Sequence, residues 1–239
     1  MSDTIWHELP KDICILICKF VGDDHIKPWV KALGPINWAH LSINPAAMHL
    51  IEKNLDKIKW DWLSQNPAAL NLIQSNLDKI NWDTLSLNPS AVDLLAANPY
   101  AINWVWFSSN STALTLLKDN PGKINWSQLS ANFSAVEMLE ANPDRIDWFW
   151  ISINHNAMHL IKKNTDKISW RYLSYNIGAI ELIAANLDKI DFAWLSENPA
   201  AIDILESNKD KIDTHHIWAN PAIFEPLVDY LPLLMHVRF

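Results

Sequence analysis

Apolar and polar positions recur along this chain with a constant step of 22 residues. Ile36-Asn37-Trp38 returns as Ile-x-Trp ending at Trp60, Trp82, Trp104, Trp126, Trp148 and Trp170, and Phe192 and Thr214 continue the column. Asn44, Asn66, Asn88, Asn110, Asn132, Asn154, Asn176, Asn198 and Asn220 keep the same step, and a second Asn column runs from Asn54 through Asn76 and Asn98 to Asn208. Residues of N-cap type stand before the aromatic anchor at Asn37, Asn81, Asn103, Asn125, Asp147, Ser169, Asp191 and Asp213, with Lys59 the exception. Their side chains can accept the unpaired first-turn amides, so a short helix starts at each anchor. Asn before Pro at Pro45, Pro67, Pro89, Pro199 and Pro221 starts a second helix. Within it Ala69, Leu72, Ile73 and Asn76 follow helical spacing and make one buried stripe. The second Asn column suits a left-handed residue that ends this helix.

Strand alternation and hairpin dipeptides are absent. The pattern therefore predicts an all-α fold: a right-handed or superhelical α-solenoid of nine helix–turn–helix repeats of 22 residues with helical caps. Residues 1–35 form an N-terminal cap, 36–211 hold eight repeats, and 212–239 hold a degenerate ninth repeat and a C-terminal cap. With helices about 8–10 Å apart, nine units stack into a rod or superhelix about 70–90 Å long.

Composition narrows the function classes. The 239 residues include 14 Trp and 23 Asn but only 4 Gly, too few for phosphate-cradling loops. A net charge of −8 argues against nucleic acid as a partner, and two Cys exclude a disulfide scaffold. The acidic start lacks a signal peptide's basic region, and Ile13 to Val21 is too short to span a bilayer. A chain that is not secreted and not in a membrane is expected.

Units such as Lys79 to Pro99 resemble repeat proteins encoded by giant DNA viruses of amoebae, across about residues 34–225. The resemblance implies a viral protein in the host cytoplasm or viral factory, the nucleus remaining open, and no activity. Leu9, Pro10, Asp12, Ile13, Ile17 and Phe20 are similar to the opening of an F-box, the motif that docks a ubiquitin-ligase adaptor. A capping helix accounts for the same apolar pattern.

No catalytic, cofactor or metal site is expected. Cys14 and Cys18 lack a second ligand pair, and the rings of His215 and His216 point apart on a helix. The Ser column from Ser42 to Ser196 repeats eight times, which marks a structural hydroxyl bonded to backbone. Recurrent Asp-Lys pairs such as Asp78-Lys79 read as solvated turns with surface ion pairing. Nine units without an insertion leave no unique polar cluster. What varies is the second position after the anchor: His40, Trp62, Thr84, Trp106, Gln128, Trp150, Tyr172, Trp194 and His216. It lies about 160° round the short helix from the anchor. The column serves either packing between units or contact with a protein partner, with His40, Trp62, Trp106, Trp150, Tyr172, Trp194 and His216 as the contact candidates. The expected state is a monomer or weak homo-oligomer that uses no cofactor.

Overall fold

The computed structural model describes residues 26–224, which are helical and hold no strand apart from an isolated bridge between Ile26 and Phe224. Many short helices follow one another in regular repeats. In the third unit Asn81 accepts from the amides of Asp83 and Thr84 and opens the short helix Trp82–Leu85. Asn88 accepts from the Ser90 amide, Pro89–Ala91 forms a 3₁₀ turn, and Val92–Ala96 continues it as an α-helix. Both predicted starts are therefore present, and Lys59 alone lacks a capping side chain among the short helices opened by an aromatic anchor.

Three columns make the core. Leu85 and its equivalents, the Ala91 column and the Leu95 column are fully buried in one continuous cluster. Ala91 lies fully buried in a turn that packs on Pro67–Ala69 of the preceding unit, and a larger side chain would overpack the site. Phe107 takes the Leu85 place in the fourth unit and meets Trp104 edge-on at 5.6 Å. The anchor Trp residues are half-buried, and the cation of the last turn lies over several of them, as Lys79 does over Trp60 at 5.2 Å and Arg145 over Trp126 at 4.7 Å. The turn lysines thus cover aromatic faces, a contact worth about 0.5–1 kcal/mol at such sites. Among the described residues no ion pair joins them to the neighbouring Asp.

Units are tied by buried polar side chains. Ser64 Oγ donates to the Trp60 carbonyl at 2.7 Å and accepts from the Asn81 amide of the next unit at 3.1 Å. All eight Ser repeat this bridge, so the structural reading of the column holds. The Asn88 amide, besides capping, donates to the carbonyls of Ser64 and Asn66 in the preceding unit, each at 2.9 Å. Every hydrogen-bonding group of that side chain but one lone pair is used, which explains why no other residue type fits. A short polar chain without an amide nitrogen would lose the link, and Gln would overreach the cap.

Two expectations are overturned. The second Asn column is not left-handed, since no non-glycine residue among those described has positive φ. Asn98 sits at φ −129°, ψ 61°, and its amide donates to the Leu94 carbonyl at 2.9 Å. Asn is used here because its side chain reaches back four residues to an unpaired helix-end carbonyl, so no left-handed turn is needed. The extended rod is also wrong. The Asn44 amide of the first unit donates to the carbonyls of Trp218 and Asn220 in the ninth, both at 3.0 Å. Every other unit but the seventh makes the same pair of bonds to its predecessor; there Asn176 bonds the Ser152 carbonyl and Met158 Sδ. The helix Trp38–Ile43 packs against both the second unit's Trp60–Leu63 and the ninth unit's His216–Ala219. The Lys27 amide donates to the Ile223 carbonyl at 2.8 Å beside this seam, with Val30 fully buried. The nine units form a closed circuit because each turns a little in the same sense, about 40° if shared equally.

Candidate functional site

The variable column is neither deep core nor free surface. Trp62 and Trp106 are 36% and 39% exposed, and the other members are half-buried. Between the sixth and eighth units the rings form a run: Trp150 to Tyr172 at 5.3 Å and Tyr172 to Trp194 at 5.2 Å, widened by exposed Phe149 at 4.1 Å from Tyr172. Arg171 is held over Trp194 at 5.9 Å while its guanidinium bonds Asp191 at 3.2 Å. Trp106 stands apart because Thr84 and Gln128 flank it. Tyr172 is flanked by Trp150 and Trp194, and Trp62, Trp106 and Phe149 are the exposed aromatic side chains of this face.

Ring closure gives this column a second stretch that sequence order hides. His40 of the first unit lies 4.8 Å from His216 of the ninth and 4.7 Å from Trp62, centroid to centroid. Glu197, the residue before the Asn column in the eighth unit, completes the group with its Oε1 3.8 Å from His216 Nε2. One ligand atom from each of His40, Glu197 and His216 falls within 4.8 Å of the others. His216 Nδ1 lies 2.9 Å from Asp213 Oδ1, and Asp213 also accepts the amides of His215 and His216 as the cap of the short helix. Among the described residues neither the buried His40 Nδ1 nor His216 Nδ1 has a hydrogen-bond partner.

The electrostatics of the seam follow from crowding. Burial, and then the neighbouring His216, push the His40 imidazole down to about 4, so it is neutral near neutral pH. Burial pushes the Glu197 carboxyl up to about 7 against the pull of His216. Burial would raise Asp213 as well, but its hydrogen bonds from His216 and His215 outweigh that and hold it at about 2. A neutral imidazole with a free lone pair and a carboxylate behind a second imidazole are the parts of a metal-binding set. The expectation that no unique polar cluster exists fails at this one place. His215 and His216 both bring Nδ1 within 4 Å of Asp213 Oδ1, at 3.9 and 2.9 Å, and His216 meets His40, 176 residues away in sequence.

Residues flanking the Asn column from seven of the nine units line a cavity of about 330 Å³, which only the inside of a ring can bring together. Its wall is mostly Pro and apolar side chains, with Gln65, His155, Tyr175 and Glu197 as polar members. His155 stacks on Phe133 at 4.2 Å, and burial lowers its pKa. Tyr175 is 36% exposed to this space, yet crowding and the nearby Glu197 push its hydroxyl up to about 12. Glu197 thus joins the inner wall to the seam.

The partner-contact candidates His40, Trp62, Trp106, Trp150, Tyr172, Trp194 and His216 lie in one column, with two clustered stretches and Trp106 between them. Glu197 and Asp213 were missed. Their signal was present, since Glu197 is the one acidic residue in its column, but it needed the ring to give it neighbours. The F-box-like residues Leu9, Pro10, Asp12, Ile13, Ile17 and Phe20 lie outside the described residues. No helix among the described residues is long and apolar enough to cross a membrane. Comparison with protein-family models, curated proteins and solved structures finds no match.

Proposed function

We propose that this protein is a non-enzymatic interaction module, an α-solenoid closed into a ring, that holds a protein partner against the aromatic row of the second position after the anchor. The observation that carries the reading is the run Phe149, Trp150, Tyr172 and Trp194, whose rings stack on one another while Phe149 stays 47% exposed. Rigid aromatic faces with polar edges give a partner contact area at little entropic cost. The unbroken scaffold beneath them fixes their spacing, so a partner segment rich in apolar or aromatic side chains is the matching ligand. As the viral resemblance implies, that partner is a host or viral protein met in the cytoplasm or viral factory.

A substrate-adaptor role is the second reading, favoured by the F-box-like Leu9-Pro10-Lys11-Asp12-Ile13, and adds a ligase-docking segment to the same ring. End-to-end assembly has less support, because the first and ninth units occupy each other. The test is affinity capture from host-cell extract with the full chain and with a Trp106→Ala, Phe149→Ala, Trp150→Ala variant. The reading expects a protein recovered by the parent and lost by the variant at unchanged helicity. Equal recovery by both sinks it. A ligase adaptor in the captured set, removed by Leu9→Ala with Pro10→Ala, favours the second reading.

A further inference from the structure

We infer that His40, Glu197 and His216 form a binding site for one first-row transition-metal ion, Zn²⁺ best matching the donors, and that the ion pins the first unit to the last two. Two imidazoles and one carboxylate are a recurrent zinc set that leaves a fourth position for water. The placement is specific. Of nine residues in the variable column only two are His, and they stand in the first and ninth units, which touch only because the ring closes. The column before Asn carries a carboxylate once, at Glu197, facing the same point. The donor atoms lie within 4.8 Å of one another. A tetrahedral ion with bonds of about 2.0–2.1 Å sets donors about 3.3 Å apart, so side-chain rotations of about an ångström complete the site.

Two further contacts match what a metal needs. Asp213 Oδ1 stands 2.9 Å from His216 Nδ1 without a hydrogen bond in this geometry, so a small turn of the ring makes it the outer carboxylate of a ligating imidazole, with Nε2 toward Glu197. Among the described residues the buried His40 Nδ1 has no partner, which is costly unless something else supplies one. Trp62 packs against the His40 ring at 4.7 Å between centroids. A pair of hydrogen-bonded histidines would need neither the carboxylate at the shared point nor the orienting one behind it.

The test uses the full chain, stripped with chelator and titrated with Co²⁺ alone and then Zn²⁺ alone. The expected result is a visible Co²⁺ absorption that saturates at one equivalent, is displaced by Zn²⁺, and shows no thiolate charge-transfer band. His40→Ala and His216→Ala should each abolish that band, and Glu197→Gln should weaken binding at least tenfold. Asp213→Asn should weaken it about 10–100-fold while leaving the stoichiometry unchanged. Zn²⁺ should raise the melting temperature of the parent and not of His40→Ala, as binding to the folded state alone requires. Cys14→Ser with Cys18→Ser should change nothing. If His40→Ala misfolds by circular dichroism, His40→Gln and Glu197→Gln carry the comparison. The inference is overturned if the parent binds no stoichiometric ion, if binding survives both His substitutions, or if the Cys substitutions remove it.

Discussion

At the scale of the residue, the Asn column shows why one side chain can be invariant through nine repeats. Asn88 Oδ1 caps its own helix while Nδ2 bonds two carbonyls of the unit before. The capping half was legible in the Asn-Pro dipeptide, but the linking half was not, because a sequence does not say which carbonyls approach. The Asn66 carbonyl keeps a second donor in the Ala69 amide. Loss of the Asn88 amide therefore deprives the Ser64 carbonyl most. Asn88→Ala should cost about 2–4 kcal/mol in denaturant unfolding, beyond the roughly 0.5–2 kcal/mol of a cap alone. Asn88→Asp retains the cap but points a carboxylate at two carbonyls, so it should be no more stable than Asn88→Ala. A loss near 1 kcal/mol for both would mean that the links contribute little.

At the scale of the element, the short helix divides its aromatic side chains between two tasks. Trp104 is half-buried, packs on the core and meets Phe107 edge-on, whereas Trp106 is 39% exposed and has no aromatic neighbour among the described residues. Trp104→Ala should therefore approach the roughly 3–5 kcal/mol of a core aromatic deletion, and Trp106→Ala should stay below about 1 kcal/mol. Comparable losses in the two melts would assign the variable column to the core. The longer helix turns Asn71, Asp93, Thr115, Glu137, His159, Glu181 and Asp203 to solvent as its wet face, all exposed. His49 departs from it because Phe224, brought round by closure, lies edge-on to its ring at 5.4 Å.

At the scale of the molecule, a closed circuit and an open array differ in how they respond to change. An open array frays at its terminal units and tolerates loss of an internal one roughly in proportion. In the ring, the first and ninth units are held to each other by the same kind of Asn bonds that join neighbours within the array. Deleting residues 80–101, one whole unit, removes the turn that brings Asn44 to Trp218. That deletion should lower the melting temperature by more than one unit's share and should expose the amides of the first unit to rapid hydrogen exchange. Unchanged protection in that unit would show that closure adds no stability. The seam is also where repetition lapses: Trp218 replaces the Ser of the column, buried to 2% exposure, and its carbonyl receives the Asn44 amide.

The 22-residue period, the caps and the buried columns were determined by the sequence alone, because each depends on residues within one unit or on identical neighbours. Helix starts follow from side chains that accept their own amides, and burial follows from helical spacing. Curvature has no such local signature. It is a small rotation at each packing contact, and only its sum over nine units decides between a rod and a ring. Tertiary structure made that decision, and with it turned His40, Glu197 and His216 from scattered members of a repeat into neighbours.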